Sequence, residues 1–142
     1  MPVFVDASVL VYARDSSERA MHRRAQEWVQ ALWETRAGRL SAQVLHVTVT
    51  RKLVPGLPID DARRDVRDLS QWRPMPLDGS SLEQAWAEQD IHRLSFWDAL
   101  IVAGAKRADC DHLLSEDLRH GQDLGGVVVV DPFRSEPGDV LA

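Results

Sequence analysis

Short apolar runs alternate along the chain with longer segments in which apolar residues recur every three or four positions. The runs have the length and composition of buried parallel strands. They cover residues 3–5, 112–115 and 127–130. Helical spacing covers residues 8–12, 15–36 and 59–72, a segment that starts near residue 80, and residues 96–108. Because strands separated by helices build α/β folds, the pattern predicts a three-layer α/β/α sandwich with a central parallel sheet.

Polar residues at the edges of these segments predict where two of the helices begin and end. Asp15 and Glu18 have the spacing of a capping-box start, and Gly38 suits the C-terminal cap of the same helix. Ser80, with Glu83 three residues later, predicts the N-cap of another helix.

Two segments fit more than one interpretation. Residues 43–52 alternate like a strand and also space like a helix, and we favour a helix. Residues 74–77 predict a short connector or an edge strand. No repeat, linker or low-complexity block interrupts the 142 residues, so we expect one domain over residues 1–142.

Composition excludes several classes of protein. Seventeen Lys and Arg against 22 Asp and Glu give a net charge of -5, which argues against coating nucleic acid by bulk charge. The single Cys110 excludes an internal disulfide and a thiolate zinc cluster. The longest uncharged apolar stretch, residues 99–105, is far shorter than the ~18 residues that a membrane span needs. We therefore expect a cytoplasmic protein with no membrane contact.

Acidic residues follow two of the predicted strands. Asp6 comes directly after the first strand, and Asp117, with Glu116 beside it, follows the strand at residues 112–115. Asp98 lies in the first turn of the helix that starts at residue 96, where it either caps the helix or points into a cleft. Because ligands gather beyond the carboxyl ends of parallel strands, we expect these carboxylates to meet at one edge of the sheet.

Such a cluster needs a cation or a proton. Two carboxylates ~5 Å apart repel each other by on the order of 3 kcal/mol at an effective dielectric of 20. Oxygen donors without a cysteine pair favour Mg²⁺ or Mn²⁺ over zinc, and these ions commonly serve phosphoryl chemistry. Ser8 and Ser115 are candidates to orient the carboxylates, with helix or turn capping as the alternative role.

Five motifs occur in order over nearly the whole chain. They are Phe-Val-Asp-Ala-Ser-Val-Leu at residues 4–10, Leu-Ser-Ala-Gln-Val-Leu at 40–45, Phe-Trp-Asp-Ala-Leu-Ile-Val-Ala at 96–103, Leu-Leu-Ser-Glu-Asp-Leu at 113–118 and Val-Val-Asp-Pro-Phe at 129–133. This order resembles the PIN-domain ribonucleases of the VapC toxin type. The resemblance implies a Mg²⁺- or Mn²⁺-dependent endoribonuclease that cuts RNA, forms a homodimer and is blocked by a VapB-like antitoxin. It places the catalytic and metal-binding carboxylates at Asp6, Asp98 and Asp117, with Glu116 as an additional metal ligand.

One part of the chain departs from the family pattern. Relatives usually follow the Gln-Val-Leu motif with one further residue and then a metal-site glutamate in a run resembling Glu-Phe-Tyr. Here His46 passes directly to residues 47–52, and no acidic residue lies between Glu34 and Asp60. His46 is an alternative nitrogen ligand, although an exposed or hydrogen-bonded histidine explains it better.

Three hypotheses about function follow. The first is a working ribonuclease toxin with a three-carboxylate site. The second is a catalytically impaired PIN-fold interaction module that binds antitoxin or RNA without efficient cleavage. The third, phosphotransfer on the aspartate after the first strand, is weakened because position 8 holds Ser8 rather than a second aspartate.

Overall fold

The computed structural model describes residues 2–14, 16–41, 59–76 and 78–141. Within these residues, four strands form one sheet and five α-helices pack on it. The strands are β1 (Val3–Val5), β2 (Gly38–Arg39), β3 (His112–Leu114) and β4 (Val128–Val130). The helices are α1 (Ala7–Arg14), α2 (Arg19–Thr35), α3 (Ile59–Leu69), α4 (Gly79–His92) and α5 (Phe96–Arg107). Two short 3₁₀ helices cover Ser70–Trp72 and Pro137–Asp139.

The strand order is β2-β1-β3-β4, and every pairing is parallel. Phe4 of β1 lies opposite Arg39 on one side and Leu113 on the other. The chain thus leaves β1 towards one edge of the sheet and later returns to the other edge. In such a sheet a crevice opens at the carboxyl ends of the two strands where the order reverses, here β1 and β3. The predicted parallel α/β sheet is confirmed.

Both faces of the central strand β1 are covered. On one face Phe4 packs so closely on α5 that a Cβ atom added at Gly104 would lie 2.8 Å from its ring. Val3 and Val5 point to the opposite face because side chains alternate along a strand, and both are fully buried. Helices therefore flank the sheet on two sides, which confirms the three-layer α/β/α architecture.

The predicted ends of α2 need correction. The helix begins directly after Glu18, which makes no side-chain capping bond, and Asp15 lies outside the described residues. Gly38 is not the C-terminal cap. Arg36 takes the left-handed conformation there, with φ 58°, and Gly38 opens β2 instead. Only glycine fits at this position, because a Cβ atom at Gly38 would lie 2.9 Å from the indole ring of Trp72.

The predicted N-cap of α4 was also wrong. Asp78, not Ser80, caps this helix, and its side chain accepts a hydrogen bond of 3.0 Å from the backbone N–H of Ser81. The partner three residues on is therefore Ser81 rather than Glu83. Hydrogen bonds from Ser80 and Ser81 lower the pKa of Asp78 to about 2.

Three remaining predictions concern residues 74–77, residues 43–52 and the membrane. Met75 forms a single parallel bridge with Ser41 but no strand, so the described residues 74–76 are closer to the predicted connector than to an edge strand. The helix predicted over residues 43–52 lies outside the described residues. Among the helices that are described, none is long and apolar enough to cross a membrane.

Candidate active site

Asp6 lies at the carboxyl end of β1, and both oxygens of its carboxylate are held. Its backbone N–H donates to the carbonyl of Leu114 at 3.0 Å, which continues the pairing of β1 with β3. The backbone N–H of Ala7 donates to Oδ1 at 2.7 Å, and the hydroxyl of Ser115 donates to Oδ2 at 2.9 Å. The orientation of this carboxylate is therefore fixed by the strand ends themselves.

Ser115 connects the two strand ends. It is fully buried, and while its hydroxyl donates to Asp6, the same oxygen accepts a hydrogen bond of 3.2 Å from the backbone N–H of Asp117. One side chain thus orients a carboxylate and caps the turn after β3. The two roles foreseen for Ser115 from the sequence are both present.

Asp98 enters the site from the first turn of α5. Ser95 is the N-cap of this helix, and its hydroxyl accepts a hydrogen bond of 3.2 Å from the backbone N–H of Asp98. The alternative role of Asp98 as the cap is therefore wrong. A carboxylate in the first turn is favourable, because the N-terminal end of a helix carries partial positive charge.

The three predicted carboxylates share one electrostatic environment. Burial raises the pKa of Asp6, and repulsion from Asp117 and Asp98 raises it further. Hydrogen bonds from Ser115 and Ala7 oppose this shift without cancelling it. Asp117 and Asp98 therefore lie near enough to Asp6, at the carboxyl end of β1, for their charges to act on it.

Glu116 has a different neighbour. It is hydrogen-bonded to the hydroxyl of Tyr12 on α1, and burial together with repulsion from nearby carboxylates, including Asp131, raises the pKa of Glu116. Burial and the neighbouring Glu116 also raise the pKa of Tyr12. Tyr12 was missed in the sequence because it lies in an apolar helical segment. Its phenol could have indicated a polar neighbour, because a tyrosine hydroxyl in a buried position usually has a hydrogen-bond partner.

His120 and Asp131 were also missed. The backbone N–H of Asp131 donates to Nδ1 of His120 at 3.0 Å, which requires the ring proton of a neutral His120 to be on Nε2. The carboxylate of Asp131 accepts a hydrogen bond of 2.9 Å from the backbone N–H of Phe133. These bonds tie the end of β4 to the loop that carries Asp117. His120 and Asp131 are far apart in the sequence, so the spacing of residues along the chain did not predict that they interact.

The donors present suit a hard divalent cation. The hydroxyl of Ser8 is buried and has no hydrogen-bond partner among the described residues, which adds an uncommitted oxygen two residues after Asp6. All the converging side chains offer oxygen, which Mg²⁺ and Mn²⁺ prefer, and a cation would offset the repulsion that Asp6 experiences. Over the described part of the chain, however, no three Asp, Glu, His or Cys side chains form a ready coordination cluster. His46, the alternative ligand, lies outside these residues.

The raised pKa of Asp6 predicts the effect of Asp6→Asn on stability. The folded protein holds this proton more tightly than the unfolded chain, so stability falls as pH rises from about 3.8 through the folded-state pKa. An asparagine removes this cost at neutral pH. Its Oδ1 can still accept from Ala7, and its amide can donate to Ser115. In EDTA at pH 7 the variant should melt at a higher temperature than the parent, with a smaller difference near pH 4.

Asp109→Asn is the matched control for that melting experiment. Asp109 is exposed and left-handed, with φ 57°, a conformation that asparagine also tolerates. Its substitution should leave the melting temperature unchanged at both pH values. A lower melting temperature for Asp6→Asn at pH 7 would show that the ionised carboxylate stabilises the fold.

Comparison with known proteins identifies the family. The family model for the PIN domain matches residues 3–122. No curated protein sequence matches the chain. The fold is similar to that of a chain in a toxin–antitoxin complex from Klebsiella pneumoniae, with 22% sequence identity, a TM-score of 0.62 and coverage of 96% of this chain and 99% of that one. It is also similar to VapC20 of Mycobacterium tuberculosis, a toxin that cleaves the sarcin–ricin loop, with 20% identity, a TM-score of 0.52 and coverage of 81% and 91%. Because the PIN model spans most of the sequence, the chain belongs to the PIN-domain family.

Proposed function

We propose that this protein is a Mg²⁺- or Mn²⁺-dependent endoribonuclease that acts as the toxin of a VapBC-type toxin–antitoxin pair in the cytoplasm. The observation that carries the proposal is that Asp6 and Asp117 lie at the adjoining ends of β1 and β3 in a PIN-family sheet, where the hydroxyl of Ser115 is hydrogen-bonded to the Asp6 carboxylate and to the backbone N–H of Asp117. The two structural neighbours support it, since one belongs to a toxin–antitoxin complex and the other is a cleaving toxin. As the family resemblance implies, we expect the active species to be a homodimer.

The side chains at the site would divide two tasks in phosphodiester hydrolysis, which are to hold a cation and to orient a ligand of that cation. Asp6, Asp98 and Asp117 would hold the cation, with Glu116 as an additional ligand. A cation held there would neutralise charge on the scissile phosphate and activate a water. Ser115 keeps the Asp6 carboxylate in a single orientation.

Glu116 also suits proton transfer. Burial raises the pKa of Glu116, so if its carboxylate does not bind the cation it would accept a proton more readily than an ordinary glutamate. The hydroxyl of Tyr12 is a hydrogen-bond donor next to this carboxylate. The chain therefore supplies both anionic oxygens and a carboxylate of raised basicity at the same crevice.

An antitoxin has two features of the surface to recognise. A groove of about 790 Å³ lies between α1, α2 and α3, with Leu10, Val29 and Trp33 among its apolar lining residues. Arg14 and Asp65 form an ion pair at this groove. An amphipathic helix of the antitoxin fits such a groove, and an antitoxin arginine can offer a bidentate fork to the carboxylates of the active site.

Cleavage of RNA tests the proposal directly. The purified chain is incubated with end-labelled single-stranded RNA in Mn²⁺, in Mg²⁺ and in EDTA. We expect fragments in Mn²⁺, fewer in Mg²⁺ and none in EDTA, because Mg²⁺ dehydrates reluctantly and demands near-octahedral order. If neither ion gives fragments from any RNA, the chain is not a working nuclease.

The impaired interaction module remains the second candidate, because no ready coordination cluster is found among the described residues. Inserting Glu-Phe-Tyr between His46 and Val47 restores the missing family residues and should raise the cleavage rate at least ~10-fold, equivalent to ~1.4 kcal/mol of transition-state free energy. Inserting Gln-Phe-Tyr is the matched control, since it restores length without the carboxylate. Equal rates for the two insertions would exclude a charge effect. A parent that already cuts efficiently in Mg²⁺, with no gain from the insertion, would exclude a missing ligand.

A further inference from the structure

Residues 116–120 form a crossing loop that passes around the end of β4. Before the loop, the backbone N–H of Ser115 donates to the carbonyl of Val130 at 3.0 Å, on the side of β4 that faces β3. After the loop, the backbone N–H of Gly121 donates to the carbonyl of Val129 at 2.8 Å. Because the bonding groups of successive strand residues point to opposite sides, Val129 faces away from β3. The loop therefore starts on one side of β4 and ends on the other.

The crossing loop is longer than this path requires. Neighbouring strands lie about 4.8 Å apart, so the distance from β3 to the far side of β4 is about 10 Å. The six residue steps from Ser115 to Gly121 would span roughly 20 Å in an extended chain. Contacts of the loop residues therefore set its path, and that path decides where the carboxylates of Glu116 and Asp117 lie.

Two of these contacts hold the first part of the crossing loop. The backbone N–H of Asp117 donates to Oγ of the buried Ser115 at 3.2 Å. Leu118, the next residue, packs against the hydrophobic core. Neither contact reaches the last residue of the loop.

His120 holds the far end of the crossing loop. Its Nδ1 accepts a hydrogen bond of 3.0 Å from the backbone N–H of Asp131, the first residue after β4. Asp131 comes two residues after Val129, so its N–H points to the same side of the strand, away from β3. At that position the imidazole supplies the acceptor that a further paired strand would otherwise offer.

We propose that His120 is a positioning residue for the carboxylates of Glu116 and Asp117. By accepting the N–H of Asp131, its ring fixes the far end of the crossing loop, so both carboxylates are in place before a cation binds. This inference rests on the proposed ribonuclease function, which assigns these carboxylates to the cation. The fixed loop itself is a property of the protein without metal, and it is tested without metal first.

Amide hydrogen exchange in EDTA, resolved by NMR, measures how firmly the loop is held. His120→Asn keeps an acceptor, because asparagine Oδ1 can occupy the place of Nδ1, whereas His120→Leu puts a methyl group there. In the leucine variant the amides of Asp117 and Asp131 should exchange about 10-fold faster, the factor expected for loss of one hydrogen bond. In the asparagine variant they should stay within about 3-fold of the parent. Amides of β1 and β3 should keep their parent rates in both variants.

Three results of this exchange experiment would overturn the proposal. Faster exchange of the Asp131 amide alone would show that Ser115 and Leu118 hold the loop without His120. Equal exchange in the leucine and asparagine variants would show that the acceptor does not matter. Faster exchange of the β1 and β3 amides by the same factor would show that His120 supports the whole sheet rather than the loop.

His112→Leu is the matched control. His112 is also half-buried and also bonded through Nδ1, at 3.0 Å from Oδ1 of Asp111, but it begins β3 at the opposite edge of the sheet from the carboxylates. Its substitution should change neither the exchange of the Asp117 amide nor the cleavage of RNA. An effect as large as that of His120→Leu would mean that loss of any half-buried histidine loosens the loop, which would also overturn the proposal.

Cleavage of end-labelled RNA at increasing Mn²⁺ measures the consequence at the site. His120→Leu should need about 10-fold more Mn²⁺ than the parent for half-maximal cleavage, because residues that orient metal ligands commonly contribute 10–100-fold. His120→Asn should need no more than about 3-fold more. If the exchange results are as expected while the parent cuts no RNA, the positioning of the loop stands and the ribonuclease function is wrong. If the parent cuts RNA and His120→Leu has the parent's Mn²⁺ requirement, the nuclease stands and the positioning role is wrong.

Discussion

Asp6→Asn is expected to lower the rate of metal-dependent RNA cleavage by on the order of 100-fold or more. Replacing groups that merely orient a metal ligand commonly costs 10–100-fold, and a charged ligand should cost at least as much. The amide has the shape of the carboxylate, keeps the bond from Ala7 and can form the bond to Ser115 with its direction reversed, so the loss would report charge rather than misfolding. Initial rates of fragment release in Mn²⁺ measure it.

Matched variants identify which other carboxylates are needed for metal-dependent RNA cleavage. Asp98→Asn and Asp117→Asn should fall to a similar rate, because both residues lie in the electrostatic environment of Asp6. Asp109→Asn, an exposed aspartate at the end of the turn after α5, should cleave like the parent. Full activity in Asp98→Asn would remove that residue from the site. A rate for Asp6→Asn within about 10-fold of the parent would place the metal elsewhere.

The positions of Asp6 and Asp117 in the fold could be predicted because both follow the ends of strands. Continuous apolar runs identified β1 and β3, and a residue that follows a parallel strand is carried to the same edge of the sheet as its counterparts. This rule alone predicts that Asp6 and Asp117 lie at the same edge of the sheet. To place Asp98, one must also infer that α5 begins at this edge of the sheet. That inference follows because α5 directly precedes β3 in the chain.

Helix ends were less predictable because distant contacts decide them. Gly38 has the local signature of a helix cap, yet it lies in β2, where Trp72 leaves no room for a side chain. At α4, Asp78 and Ser80 are both good N-cap residues, and local preference does not choose between neighbours two positions apart.

The partners of Glu116 and Asp131 could not be predicted from spacing. Tyr12 lies on the helix after β1 while Glu116 follows β3, and His120 meets Asp131 only because the loop after β3 returns to the end of β4. Such pairs depend on the distance between elements, which hydrophobic periodicity does not contain.

Lys106→Met is expected to lower the free energy of unfolding by about 3 kcal/mol, because it leaves a buried carboxylate without its cation. Glu88 on α4 is 4% exposed, and Nζ of Lys106 on α5 lies 2.6 Å from its Oε1. Nε2 of His92 is 3.2 Å from Oε2, without the geometry of a hydrogen bond to that oxygen. Urea denaturation at pH 7 measures the loss, and the melting temperature should fall by about 10 °C.

Two further variants show whether the effect comes from burial of the charge. Arg107→Met removes the neighbouring cation, whose partner Asp78 is half exposed, and should cost much less stability than Lys106→Met because solvent screens this ion pair. Glu88→Leu combined with Lys106→Met removes both buried charges and should recover most of the stability, because an apolar pair can replace a buried ion pair at little cost. A double variant as unstable as Lys106→Met alone would mean that packing of the Lys106 stem, rather than its charge, holds α4 to α5. Since Asp98 lies at the opposite end of α5, the single variant should still cleave RNA at the parent's rate well below its melting temperature, and a loss of activity there would show that this ion pair also positions Asp98.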